Sequence, residues 1–166
     1  MRARTLACSL LLLAGCRTAP VETTEPEHDG PRPVLEVLGV EPVEGGHRVQ
    51  VRLSNPTPST WCLQALRGGP VVFVQAPGDD GSGWQNVTNP MWCGTDIVWT
   101  ELAPGASLES LVFVERGLPK VRLSLGVLEG VMAPREGYHG LWPPMGQPRV
   151  RVHTAPIEVG RLQAVR

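Results

Sequence analysis

Seventeen prolines and nineteen glycines are spread through a chain of 166 residues, and this punctuation constrains the fold more than any other feature. Proline lacks the amide hydrogen that a helix interior or a central strand must donate, and glycine costs conformational entropy inside either element. A ten-residue stretch with apolar side chains at i, i+3, i+4 and i+7 is hard to place anywhere between these interruptions. What lies between them is short and alternating. From His47 to Ser54, Val49, Val51 and Leu53 fall on one face and Arg48, Gln50 and Arg52 on the other, the pattern of a half-buried strand. Val121, Leu123, Leu125 and Val127 against Arg122, Ser124 and Gly126 repeat it, and Arg149 to Val152 begins it again. The apolar, β-branched runs 34–40, 71–75, 97–102 and 108–115 predict further strands of a more central kind. The expected class is all-β, with seven to eight strands at roughly ten-residue spacing, the arrangement of a sandwich or a barrel.

The N-terminus carries a different signal. Arg2 and Arg4 precede an apolar run from Leu6 to Leu13, followed by Ala14, Gly15 and Cys16. A basic start, a short apolar stretch and small residues make a secretory leader, whereas a membrane span needs roughly 20 apolar residues. The segment Leu13-Ala14-Gly15-Cys16 resembles the lipobox of bacterial lipoproteins. The resemblance implies that residues 1–15 are removed and that Cys16 becomes an acylated N-terminus. Membrane lipid is then a partner through Cys16, since two or three acyl chains hold a protein where one anchors only reversibly. Arg17 in place of an aspartate gives no inner-membrane retention signal, so the resemblance points to the outer membrane. Loss of Arg2 and Arg4 leaves 13 basic residues against 16 acidic ones, and no nucleic-acid footprint is present. Residues 16–33 read as a Pro/Thr/Glu spacer with little to bury. Residues 34–166 are the length of one domain.

With Cys8 in the leader and Cys16 on lipid, Cys62 and Cys93 are the remaining thiols. An extracytoplasmic compartment permits them to pair, closing a loop of about 32 residues that contributes roughly 4 kcal/mol in the chain-entropy picture. The alternative, two free thiols serving redox or metal chemistry, lacks a Cys-x-x-Cys motif. A bridge at this separation favours the sandwich over the barrel.

Several segments resemble small bacterial immunoglobulin-like domains, including the family of the Bacillus intracellular proteinase inhibitor. They are the strand Val49, Val51, Leu53 ending in Ser54-Asn55-Pro56-Thr57, Trp84 after a Gly-rich turn, and Leu102-Ala103-Pro104-Gly105 ahead of a strand. The resemblance implies an immunoglobulin-like antiparallel β-sandwich. The lipoprotein leader and the cysteine pair depart from an intracellular inhibitor.

His28, His47, His139 and His153 sit in no catalytic frame, and neither a nucleophile elbow, a zinc helix nor a phosphate loop is found. The segment Asp79-Asp80-Gly81-Ser82-Gly83 suits a tight turn better than a calcium loop. His139, Met145 and His153 supply the soft donors of a copper site without its usual spacing. No cofactor and no catalysis are expected. The segment 133–148 crowds Tyr138, His139, Trp142 and Met145 among prolines, and two readings stand. It presents a partner-binding surface, or it folds over an open end of the sandwich with Trp142 plugging the core. Most of Trp61, Trp84, Trp92 and Trp99 are expected in the core or against the disulfide. The function expected is a lipid-anchored envelope module for interaction or structure, with an envelope protein as partner, and with an inhibitor-like or copper-handling sandwich as the rival reading.

Overall fold

In the computed structural model, which describes residues 30–66, 69–79, 81, 83–87, 97–134, 141–142 and 149–159, the alternating runs become antiparallel strands. In chain order these are β1 (Val34–Val43), β2 (Gly46–Ser54), β3 (Trp61–Leu66), β4 (Gly69–Pro70), β5 (Phe73–Pro77), β6 (Trp84–Asn86) and β7 (Ile97–Leu102). There follow β8 (Ser107–Glu115), β9 (Lys120–Glu129), β10 (Ala133–Pro134), β11 (Leu141–Trp142), β12 (Val150–His153) and β13 (Ile157–Glu158). A three-stranded sheet runs β1-β2-β8. An eight-stranded sheet is built on β9, which pairs with β3 and β5, and with β12 and β13; β7 and β4 pair with β3, and β6 with β5. A short ladder joins β10 to β11. The class is all-β and the arrangement sandwich-like. The expected leader, Cys16 and the expected spacer up to residue 29 lie outside the described residues, and no described helix is long and apolar enough to cross a membrane.

The core follows from the alternation. Val49, Val51 and Leu53 of β2, with Leu35, Val112 and Val114 from its two neighbours, face Trp61, Leu63, Val74, Leu102, Val121, Leu123, Leu125, Val127, Val150 and Val152 of the larger sheet. Removing side chains of this size from water stabilises the fold by about 1.5–3 kcal/mol each. Two features differ from the sequence expectations. β3 shows no alternation, because Trp61, Cys62 and Leu63 are all buried and both of its faces are covered. The runs read as central strands include β1 and β8, which are the edges of the smaller sheet. Apolar content does not distinguish an inner strand from an edge strand, and at these edges Val34, Val37, Leu38, Leu111 and Phe113 stay exposed.

At one end of the sandwich the two sheets are joined where the chain leaves β2 and where it returns from β7 to β8. Pro104 and Gly105 make that return as a tight turn, with the Ala106 N–H donating to the Ala103 carbonyl at 3.0 Å and Gly105 at φ +75°. Proline followed by a residue of positive φ is the pattern of a type II turn, and glycine meets it without strain. Asn55, 1% exposed, lies against this turn. Its backbone N–H donates to the Ala106 carbonyl at 3.0 Å and its carbonyl accepts from the Gly105 N–H at 2.8 Å. Its Nδ2 donates to the carbonyls of Ser59 (2.8 Å) and Leu102 (2.9 Å). Its Oδ1 accepts from the Thr57 N–H (3.1 Å) and hydroxyl (2.7 Å). The Thr57 Oγ1 in turn accepts from the indole N–H of Trp61 at 2.9 Å. The full capacity of one amide side chain is used, so the end of β2, the start of β3 and the end of β7 are held by a single residue.

Asn55→Ala leaves the buried Leu102 carbonyl, the half-buried Ser59 carbonyl and the Thr57 amide without this partner. It is expected to lower stability by about 3 kcal/mol and the melting temperature by roughly 10 °C, read by thermal and urea denaturation. A loss below about 1 kcal/mol would show the network to be redundant.

Candidate functional site

The outer faces of the two sheets differ in chemistry. On the smaller sheet two ion pairs form across strands. Arg48 meets Glu41 at 3.2 Å, and Arg52 reaches Glu109 at 2.8 Å. Hydrogen bonds from Arg52 and then from Gln50 hold the Glu109 carboxyl below its ordinary pKa.

The outer face of the larger sheet carries arginines stacked on indoles. Residues of even number on β9 point outward, since Val121, Leu123, Leu125 and Val127 are in the core. Arg122 therefore stands in register with Gln75, and Gln75 with Asn86. The Arg122 Nε–H donates to Gln75 Oε1 at 2.7 Å, and the Gln75 amide donates to Asn86 Oδ1 at 2.9 Å. The Arg122 guanidinium also lies 4.9 Å from the ring centroid of Trp84. A second stack is made across Gly126. A Cβ on that glycine would stand 2.5 Å from Arg149 Cδ, so the missing side chain is the track along which Arg149 crosses β9 to lie 5.9 Å from the Trp99 ring centroid. Stacking of this kind contributes about 0.5–1 kcal/mol at exposed sites. Arg151, opposite Gly126, and His153, opposite Ser124, share the face. Ser124 Oγ is buried there without a hydrogen bond.

Cys62 lies on this face beside Leu128 and Glu101. Its thiol donates to the Gly130 carbonyl at 3.1 Å. Burial, and then the nearby Glu101, push its pKa up to about 11, which makes it a poor nucleophile in the folded chain. Glu101 itself accepts from the Met132 N–H at 2.5 Å, tying the exit of β9 to β7. A separate open groove of about 490 Å³ runs between the edge of β1 and residues 154–158, lined by Leu35, Val37, Pro156 and Ile157 with Glu36 and Glu158. It gathers little chemistry beyond two carboxylates, one of them paired with Lys120.

The site residues expected from the sequence fall unevenly. Cys62 is buried and carries a thiol; its expected partner Cys93 lies outside the described residues, as do Cys16, Tyr138, His139 and Met145. Trp142 is described only as backbone, paired with Ala133. Of the tryptophans, Trp61 is in the core, while Trp84 and Trp99 are half-buried on the outer face under arginines. Trp92 lies outside the described residues. The sequence reading missed this face, although the residues of β9 opposite its core set, Arg122, Ser124 and Gly126, already named its centre. No group of three potential metal ligands occurs among the described residues. Compared with known proteins, the chain matches no family model, no curated sequence and no solved structure.

Gly126→Val blocks the Arg149 track. It is expected to alter tryptophan emission in the same way as Arg149→Ala while changing stability by less than about 1 kcal/mol, because only the end of a flexible side chain must move. A loss near 3 kcal/mol would show that backbone closes over Gly126.

Proposed function

We propose that the chain is a lipid-anchored protein of the bacterial envelope, held by acylated Cys16 in the outer membrane, and that it works without catalysis as an interaction module. The observation that carries the interaction reading is the outer face of the larger sheet, where two indoles, two stacked guanidiniums and a Gln–Asn amide pair occupy one surface. Such side chains offer large rigid contact area with polar edges, the composition of binding hot spots. Arg122, Arg149 and Arg151 outweigh Glu101 on this face, which suits an acidic or strongly polar partner surface. The face of the smaller sheet has no such excess of arginine, since Glu36, Glu41, Glu109 and Glu115 stand there with Arg48 and Arg52.

The immunoglobulin-like reading belongs to the same proposal. It is supported by the order β1-β2-β8 in one sheet and β7-β3-β9-β12 in the other, with the chain changing sheets after β2, β7 and β8. Two of the three segments that carry the resemblance also meet in space, as Asn55 Nδ2 bonds the Leu102 carbonyl and the Gly105 N–H bonds the Asn55 carbonyl. Oxidation of the Cys62 thiol to a bridge with Cys93 belongs to the same proposal, since the proposed compartment is oxidising.

Cys16→Ser is expected to abolish palmitate labelling and membrane fractionation, and the denatured wild-type protein is expected to take up no alkylating label at Cys62 or Cys93. In intact cells, chemical cross-linking should give a discrete adduct that Trp99→Ala with Arg149→Ala removes and Arg48→Ala retains. Labelling that survives Cys16→Ser would refute the anchor. An adduct indifferent to Trp99 and Arg149 would refute the binding face.

A further inference from the structure

The groove beside β1 presents free strand backbone from both of its walls. The phase of the smaller sheet is fixed at its two ends, where the Arg116 N–H donates to the Gly45 carbonyl and the Asn55 N–H to the Ala106 carbonyl, each at 3.0 Å. Hydrogen-bonded and non-hydrogen-bonded pairs alternate along an antiparallel ladder. The odd-numbered residues of β2 therefore bond β8, and the even-numbered ones bond β1. Ser54 and Arg52 take Val34 and Glu36 as partners, so Leu35 and Val37 direct their N–H and carbonyl groups away from β2, on the groove side. The opposite wall follows the same rule. The Val159 N–H donates to the Pro119 carbonyl at 3.0 Å and Ile157 stands opposite Val121, so Glu158 between them turns its backbone groups away from β9. Among the described residues these outward groups of Leu35, Val37 and Glu158 make no backbone hydrogen bond.

The open stretch of β1 is short. A bulge displaces the ladder between Val37 and Gly39, and Pro42, farther along the same edge, has no N–H to offer. Bulges and prolines are devices that close an edge to pairing, and they leave Leu35 to Val37 uncovered. Across about 490 Å³ of groove these residues face Pro156 and Ile157. Side chains along the stretch alternate, with Leu35 in the core and Glu36 exposed on the other face. Glu36 and Glu158 are the charged residues of the lining, which contains no cation. Arg52, opposite Glu36, bonds Glu109 instead, while Lys120 reaches Glu158 from outside the groove at 3.3 Å.

We propose that this groove takes an extended segment of a partner protein in which apolar and basic residues alternate, added to β1 as a further strand. Free backbone on both walls selects an extended chain, because a helix has already spent its own N–H and carbonyl groups. The alternation on β1 then assigns the side chains, since residues opposite one another in a ladder share a face. Apolar residues fall opposite Leu35 and Val37 and close the core edge against Pro156 and Ile157. A basic residue falls opposite Glu36, whereas an acidic one there would set like charges against each other. The surface shares no residue with the arginine–indole face and is a second contact site, independent of that reading. Few backbone bonds form along so short a stretch, so the segment exchanges rapidly.

The test is an amide NMR titration of the isotope-labelled full chain in detergent micelles with the capped synthetic peptide Lys-Val-Lys-Val-Lys. Saturable shifts and slowed hydrogen exchange are expected at the amides of Leu35, Val37 and Glu158. Affinity is expected to exceed by about tenfold that of Glu-Val-Glu-Val-Glu, and that of the lysine peptide N-methylated at both valines, whose N–H groups would bond β1. These comparisons use the unaltered protein and do not depend on how a variant folds. Glu36→Lys combined with Glu158→Lys is expected to reverse the preference between the lysine and glutamate peptides. Equal affinity for the acidic or the N-methylated peptide, or the absence of saturable shifts at the three amides, would overturn the proposal.

Discussion

One buried amide holds the two sheets in register. Asn55 sits where β2 of the smaller sheet ends, and its side chain bonds carbonyls at the entry to β3 and the exit of β7 in the larger one. An apolar residue there would take this partner from the buried Leu102 carbonyl, at about 1–3 kcal/mol, and leave the half-buried Ser59 carbonyl to the Thr57 hydroxyl. The Asn55 Oδ1 also orients Thr57, and Thr57 receives the indole N–H of Trp61. The largest fully buried side chain of the core is thereby placed by a polar contact at its rim. Hydrophobic burial supplies most of the driving force in a fold of this kind but is non-directional. The directional information at this end of the sandwich comes from Asn55.

That joint has consequences at a distance. With β3 and β7 fixed relative to β2, β9 is positioned along β3 by the pairing of Trp61 to Glu129 and Leu63 to Val127. The register of β9 then decides which residues share the outer face. It sets Arg122 against Gln75 and puts Gly126 where Arg149 crosses toward Trp99. A slip of one residue would bury the arginines and expose Val121, Leu123 and Leu125. On the smaller sheet the same joint fixes the phase of β8 against β2, and through β2 which backbone groups of Leu35 and Val37 reach the open edge of β1.

Much of this was legible in the residues. The alternation of β2, β9 and β12 gave strands, faces and core members, because a sheet with one face in the core writes its geometry into every second residue. Asn55-Pro56-Thr57 and Leu102-Ala103-Pro104-Gly105 were recognisable as strand ends, though not as two halves of one hydrogen-bonded joint, since that contact spans 47 residues. β3 was invisible because Trp61, Cys62 and Leu63 are buried on both faces and leave no period. The edge position of β1 and β8 was not readable either, as Val, Leu and Phe occur equally in inner strands and at exposed edges. The arginine–indole stacks depend on pairing between β5, β6 and β9 and on a side chain crossing Gly126, and none of these has a local signature.

The polar joint at Asn55, although made in loop segments, is predicted to be as rigid as the core it connects. Native-state hydrogen exchange tests it directly, because the amides of Thr57 and Gly105 belong to no strand yet donate to Asn55 at 3.1 and 2.8 Å. Both are predicted to exchange as slowly as Val49 and Val51 in β2, opening only with global unfolding. Exchange at the rate of an exposed turn, with β2 still protected, would contradict the account.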